Sequence, residues 1–404
     1  MYVFSRAVNS LHSEDIKLLM KQSSKKGLIS FAAGMPNNDL FPVREIDEIF
    51  ANLDHETKKR CFQYGPTSGY PPLIKSLETM MKAKGMAMNS NKLLITTGSL
   101  QAISIITQEF INEGDLIFAE CPCFVGALSV FETYGAEIKG IPIDAEGIDI
   151  AALTMELQRC KKRPKFLYIT PNFHNPAGII YSEKRRKQLL EILSGTGIIL
   201  IEDDAYGDLY FEEKDAYLTK PLKTYKGYDV DIIYTGSFSK ILGPGFRLGY
   251  MISSEEIFEK AETIKQALDA CTSNFMQILA NEFISGGYLQ PYLCLLRKEY
   301  AQRYDLLAAS LEKYLPAEVT WIPPKGGFYV WLELPSSIKA TDLFADCLAR
   351  GVVFVTGRTF DPESTKDNRL RLSFSNMPKE AIEEGVVLLT SVIENHLKNS
   401  TLLT

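Results

Sequence analysis

The stretch DIIYTGSFSKILGPGFRLGY (231–250) starts as a strand and then changes character. Ile232, Ile233 and Tyr234 form a continuous apolar run, with Val230 further back. Ser237, Ser239, Lys240 and Arg247 follow, setting out two hydroxyls, an amine and a guanidinium around a Gly243-Pro244-Gly245 turn. A run that is apolar on consecutive rather than alternate residues suits a strand covered on both faces, as in a parallel sheet flanked by helices.

The same pattern recurs on the N-terminal side. KLLIT (92–96) precedes the helical SLQAISIITQEFI (99–111), and DLIFAE (115–120) is followed by AEIKGIPI (136–143). KFLYIT (165–170) leads through a polar loop to SEKRRKQLLEIL (182–193), and IILIE (198–202) follows. This alternation predicts an α/β fold with a mostly parallel central sheet and helices on both faces. The flanks differ. The first forty residues carry GMPNNDLFP, rich in turn formers. A long helical stretch runs from about 254 past 280, and another begins near Pro291. EVTWIPPKGGFYVWLEL (318–334) reads as a hairpin, and RLRLSFSN (369–376) alternates as a half-buried strand does. The expected division is an N-terminal arm with part of a small domain over 1–45, a large domain over 46–285, and a smaller α+β domain over 286–404.

The chain has 404 residues, 46% hydrophobic and 23% charged, and its net charge of −6 offers no basic footprint for nucleic acid. No apolar run reaches membrane-spanning length. The opening MYVFSRAVNSLHSED lacks the charged and apolar regions of a secretory signal, and the seven cysteines are scattered without C-x-x-C spacing. The expectation is a cytoplasmic enzyme with free thiols. His12, His55, His174 and His396 lie too far apart to suggest a histidine metal site, so an organic cofactor is expected in place of a metal.

In open α/β sheets ligands bind beyond the carboxyl ends of the strands. Those ends carry Gly98-Ser99, then Phe124, then Asn175 in PNFHNPAG, then Asp203, Asp204 and Tyr206, then Ser237, Ser239 and Lys240. Ser99 at a helix start suits a phosphate, or is an ordinary helix cap. Ser237, Ser239 and Arg247 together match a phosphate dianion, unless the arginine is solvated on a surface turn. Asp203 ends four apolar residues, a costly place for a carboxylate unless a cation meets it or it caps a helix facing water. Asp203 and Asp204 as a metal pair lack a third ligand. Asn175 before Pro176 can form an Asx turn, and Phe124 can be core. Lys240 near a phosphate, an arginine and an aromatic wall becomes a nucleophile through a lowered pKa; elsewhere it is a surface lysine.

Taken together, these segments resemble the fold-type I aminotransferases that use pyridoxal 5'-phosphate. SFSKILGPGFRLGY looks like that family's Schiff-base lysine segment, TPNFHNPAGIIYS its asparagine loop, EDDAYGDLYF its aspartate–tyrosine segment, and RLRLSFSN its carboxylate-binding arginine strand. YGPTSGYPPL (64–73) and SFAAGMPNNDLFP (30–42) are most similar to the branch of 2-aminoadipate and kynurenine aminotransferases and the aminotransferase-like half of MocR-type regulators. The resemblance implies that Lys240 carries the cofactor, Asp203 pairs with its ring nitrogen, and Asn175 and Tyr206 bond its phenolic oxygen. It also implies that Phe124 stacks on the ring. Ser99, the backbone of Leu100, Ser237, Ser239 and Arg247 would hold the phosphate, with Tyr64 reaching in from the second subunit of a homodimer. Arg371 would take the substrate α-carboxylate beside Asn175 and the Gly34 loop. The chain departs from the family at Leu100-Gln101, where Gln-Gln is frequent, and at Phe124, where tyrosine is frequent.

The implied reaction moves an amino group from an L-amino acid to a 2-oxo acid such as 2-oxoglutarate by ping-pong kinetics, with Lys240 as the proton carrier. A lyase or decarboxylase on the same fold is the nearest alternative. A MocR-type regulatory module is the more distant one, disfavoured because the motifs begin by residue 30. The segment from Met1 to Leu28 is expected to fold over the site. The preferred amino donor stays open between aminoadipate, aromatic and branched aliphatic amino acids.

Overall fold

The computed structural model describes residues 2–9 and 27–401. Most of the segment expected to cover the site, 10–26, lies outside the described residues. In chain order the strands are β1 (Ile29–Ser30), β2 (Lys92–Thr96), β3 (Leu116–Cys121), β4 (Glu137–Asp144), β5 (Gly147–Ile148), β6 (Phe166–Ile169) and β7 (Ile199–Asp204). β8 (Ile232–Ser237), β9 (Gly249–Ser253), β10 (Thr320–Trp321), β11 (Tyr329–Glu333), β12 (Val352–Val353), β13 (Val355–Thr356) and β14 (Arg369–Ser373) follow.

Eight of them form one sheet in the order β2-β9-β8-β7-β6-β3-β4-β5. The run β8-β7-β6-β3-β4 is parallel throughout. The apolar segments are continuous because both faces are covered. In β6, Phe166 and Tyr168 pack into one cluster beneath the helices Ser99–Phe110 and Val125–Tyr134, while Leu167 and Ile169 pack into another beneath Ile150–Arg159 and Glu183–Leu193. All four are fully buried, and each such side chain contributes about 1.5–3 kcal/mol. Local signals begin those helices: Asp149 accepts from the amides of Ala151 and Ala152, and Ser182 from that of Arg185.

β9 runs antiparallel between β2 and β8, with Gly249 opposite Ser237. The polar stretch after β8 therefore does not lead into a crossover helix. It folds straight back as a strand, which keeps Ser239, Lys240 and Arg247 at the carboxyl end of the sheet.

The smaller C-terminal α+β domain is built on the sheet β10-β11-β14-β13. β10 and β11 pair antiparallel as the hairpin reading predicts, with Trp321 opposite Leu332. β14 differs from the expected half-buried strand: Leu370, Leu372 and Ser373 are at most 1% exposed and Arg371 only 7%. It is central in its sheet. Leu370 and Leu372 join the core on one face, and the N-terminal segment covers the other, where the Phe31 carbonyl accepts from the Ser373 amide and that of Ala32 from Arg371. That segment enters by β1, which pairs in parallel with β12.

The helical stretch read from 254 past 280 is two helices, Glu255–Asp269 and Asn274–Ser285, broken at Ala270 with φ 60°. Side chains fix the break. The fully buried Lys265 ammonium donates to Asp269 Oδ1 (2.8 Å) and Thr272 Oγ1 (2.9 Å).

Candidate active site

The carboxyl ends of the sheet strands meet the inner face of the small sheet around a cavity of about 310 Å³. Its lining brings together twelve positions named from the sequence: Gly34, Ser99, Leu100, Phe124, Asn175, Asp203, Tyr206, Ser237, Ser239, Lys240, Arg247 and Arg371. Tyr64 is not among them. It follows the helix His55–Cys61 and is 82% exposed. Three lining residues escaped the sequence reading: Thr170, Ala205 and Tyr329.

One end is an anion cradle. Gly98, with φ 81°, turns the chain into the helix Ser99–Phe110, so Ser99 is its first residue and not its cap. The Arg247 guanidinium lies over this turn; a Cβ at Gly98 would sit 2.9 Å from Arg247 Nη2. Arg247 reaches it from a left-handed backbone (φ 48°), the position that the Gly243-Pro244-Gly245 turn sets up. Ser237 Oγ accepts from the Ser239 amide (3.2 Å), bringing both serines to the same end. Leu100, the departure noted above, lines the cavity, whereas Gln101, which keeps the second glutamine of the pair, is not part of its lining. Gln101 Oε1 accepts from the Thr97 amide (2.7 Å) and its Nε2 donates to Asp269 (2.7 Å), tying the turn to the broken helix.

The other end is a buried carboxylate. Asp203 is 3% exposed and accepts from the Tyr168 hydroxyl (2.6 Å) and from Thr235 Oγ1 (2.8 Å). Both donors are neutral, and no cation among the described residues pairs with it. Burial pushes its pKa up to about 6 against the pull of those two hydrogen bonds. Asp204, one residue on, points to the opposite face of the strand, where it accepts from Tyr234 (2.8 Å) and the Gly207 amide (2.8 Å). The two acids do not converge, and no group of three metal-ligating side chains occurs among the described residues.

Between the ends stand Lys240 and Arg371. Lys240 Nζ donates to the Gly34 carbonyl (3.0 Å) and lies 5.7 Å from the Tyr206 ring centre. Burial first, then the charges of Arg371 and Arg247, bring its pKa down to about 8. Arg371 donates to Asn175 Oδ1 (2.8 Å) and to the Ala32 carbonyl (2.8 Å), while its buried Nε has no partner. Tyr206 bonds the Tyr329 hydroxyl (2.9 Å), and burial pushes its own pKa well up.

The Asn175 loop is held from below by Glu120, which is fully buried. Glu120 accepts from the Thr170 amide (2.7 Å) and the Tyr181 hydroxyl (2.5 Å), and meets His174 Nε2 (3.1 Å). His174 Nδ1 accepts from the Ala177 amide, which leaves the ring proton on Nε2 for Glu120.

The chain matches the family model described as aminotransferase class I and II over residues 26–389. It belongs to that family. It is 35% identical to aromatic-amino-acid aminotransferase 1 of Thermococcus litoralis over 98% of this chain and 95% of that one. It is likewise 35% identical to the 2-aminoadipate transaminase of Thermus thermophilus, over 95% and 94%. Among solved structures it superposes with TM-score 0.92 and 34% identity on the kynurenine aminotransferase of Pyrococcus horikoshii, solved with PMP, covering 98% of this chain and 97% of that one. This chain is a fold-type I, pyridoxal-phosphate-dependent aminotransferase.

The cavity fits that cofactor on its own terms. The cofactor is a flat ring with a phosphate dianion at one end and a protonatable nitrogen near the other. The cavity sets hydroxyls, a helix start and a guanidinium at one end, and a buried carboxylate without a cation at the other.

Proposed function

We propose that this aminotransferase takes the amino group from an apolar or aromatic L-amino acid and passes it to 2-oxoglutarate in a ping-pong cycle, working as a homodimer in the cytoplasm. The observation that carries the site assignment is that Lys240, Asp203 and Arg371 border one cavity although Arg371 lies 131 positions beyond Lys240 and 168 beyond Asp203 in the chain.

Pyridoxal phosphate supplies an electron-withdrawing ring and a carbon that accepts and returns the amino group. Ser99, Ser237, Ser239, Arg247 and the amides at the helix start would hold its phosphate, Phe124 and Ala205 its ring faces, Asn175 and Tyr206 its phenolic oxygen, and Lys240 its reactive carbon. An ionised Asp203 keeps a proton on the ring nitrogen, and that proton in turn relieves the cost of burying the carboxylate. Arg371 takes the substrate α-carboxylate and so aims the Cα–H bond. The Lys240 amine, its pKa already lowered towards neutrality, removes the Cα proton and returns it one carbon away.

The preference for an apolar or aromatic donor rests on the wall. Beyond Lys240, Arg247 and Arg371, all given roles above, no cation lines the cavity among the described residues to receive a second carboxylate, whereas Tyr329 and Tyr206 offer aromatic surface. The printed activities of the relatives span both aromatic amino acids and 2-aminoadipate. The dimer reading is supported by exposed Phe62 and Tyr64, which fit a contact with a second copy and its phosphate. The cytoplasmic reading is supported by seven cysteines that are all unpaired.

A panel of amino donors with 2-oxoglutarate tests the substrate assignment. Phenylalanine, tyrosine or leucine should exceed 2-aminoadipate in kcat/KM by about tenfold or more. A higher value for 2-aminoadipate would overturn it. Parallel double-reciprocal lines should accompany the reaction; intersecting lines would overturn the ping-pong cycle.

A further inference from the structure

Tyr329 borders the cavity with a hydroxyl that the site has so far left without a task. It opens β11 two residues after Gly327 and is 1% exposed. Its ring lies under the Arg371 guanidinium at 4.4 Å and meets the Tyr206 ring edge-on at 5.7 Å and 76°. Its hydroxyl is 2.9 Å from that of Tyr206 and so close to Gly34 that no Cβ would fit there. Two distant segments of the chain, at Tyr206 and at Gly34, thus meet this one phenol.

We propose that Tyr329 is a positioning residue that fixes the direction of the Tyr206 proton. This rests on the reading above in which Tyr206 faces the phenolic oxygen of the cofactor. Two hydroxyls at hydrogen-bond distance share one proton between them, and either can be the donor. An anionic oxygen beside Tyr206 removes that freedom: Tyr206 donates to the anion, so its own oxygen is left to accept from Tyr329. The two phenols then form a chain of donors running one way. Each bond polarises the next, and Tyr206 becomes a stronger donor than a lone tyrosine. The anionic form of the phenolic oxygen is stabilised, which lowers the pH at which the bound chromophore loses its proton. The ring of Tyr329 does a separate job beneath Arg371, and Tyr329→Phe keeps that ring while deleting the hydroxyl.

The test is a pH titration of the visible absorption of the holoenzyme, measured for the wild type, Tyr329→Phe, Tyr206→Phe and the double variant. Thermal melting of each confirms an intact fold. Tyr329→Phe should raise the chromophore pKa by about half a unit, and Tyr206→Phe by about one unit or more. The double variant should match Tyr206→Phe alone, because the outer phenol acts only through the inner one. KM for the amino donor should change less than twofold in Tyr329→Phe, since Arg371 keeps its aromatic seat.

An unshifted chromophore in Tyr329→Phe, with Tyr206→Phe shifted, would overturn the relay and leave the assignment of Tyr206 intact. Shifts that add in the double variant would also overturn it, because Tyr329 would then act independently. If Tyr206→Phe itself leaves the titration in place, the placement of Tyr206 against the phenolic oxygen fails, and the relay fails with it.

Discussion

At one end of the cavity Arg247 sits exposed over Gly98, while at the other Asp203 lies 3% exposed beneath Tyr168 and Thr235. Both ends are built to meet an opposite charge, yet they hold their own charges differently. Arg247 keeps its hydration and shares its task with three hydroxyls and the amides of a helix start, so no single contact dominates. Asp203 has given up water for two neutral hydrogen bonds and lacks a counter-ion among the described residues. Its charge is costly until a cation arrives. The shallow end should therefore govern how tightly the cofactor is held, and the deep end how well it works.

The sharpest way to break this contrast is Asp203→Asn. Loss of the carboxylate removes the charge that keeps the ring nitrogen protonated, and kcat/KM should fall by about 10³-fold or more. A loss below tenfold would put the two ends on an equal footing.

The same substitution has a second consequence in the cofactor-free protein. The Asp203 pKa is raised from 3.8 to about 6, so folding becomes less favourable as pH rises through that window: the unfolded carboxyl ionises first and the folded one later. Below pH 3.8 the raised pKa costs nothing. Above pH 6 the cost is on the order of 3 kcal/mol. Asp203→Asn apoprotein should therefore match the wild type below pH 4 and melt at a higher temperature at pH 7, as calorimetry would read. An asparagine variant that is less stable at pH 7 would show that the carboxylate is not strained by burial.

The shallow end gives the smallest effect. Arg247→Ala should weaken cofactor binding about tenfold, and the loss should shrink at high salt, because an exposed charge is screened. Once saturated with cofactor, the variant should keep most of its kcat. A large fall in kcat at saturation would transfer to Arg247 a role assigned here to Asp203.

What the sequence disclosed follows the same divide. Lys240, Asp203 and Ser237 were legible because each is polar or charged at the end of a continuous apolar strand, and such a placement has few explanations other than a ligand. Arg371 was legible only through its resemblance, since the alternation of RLRLSFSN pointed to a half-buried strand, and the cover on its second face comes from Phe31 and Ala32. Tyr168, Thr235, Thr170 and Tyr329 were hidden for a shared reason: tyrosine and threonine favour strands and pack well there, so their hydroxyls carry no signal until register is known. The register supplies it. Thr235 lies directly opposite Asp203 across β7 and β8. The antiparallel return of β9 was equally invisible, because the residues between Lys240 and Gly249 read as a turn without revealing where it leads.

The central claim is that Lys240 carries the cofactor in the cavity that Asp203 closes. Reduction of the holoenzyme with borohydride, followed by proteolysis and mass spectrometry, tests it most directly. A single cofactor-derived mass increment should fall on Lys240, in the peptide that spans residues 227–247 after trypsin has failed to cut at the modified lysine. An increment on any other lysine, with Lys240 unmodified, would contradict it.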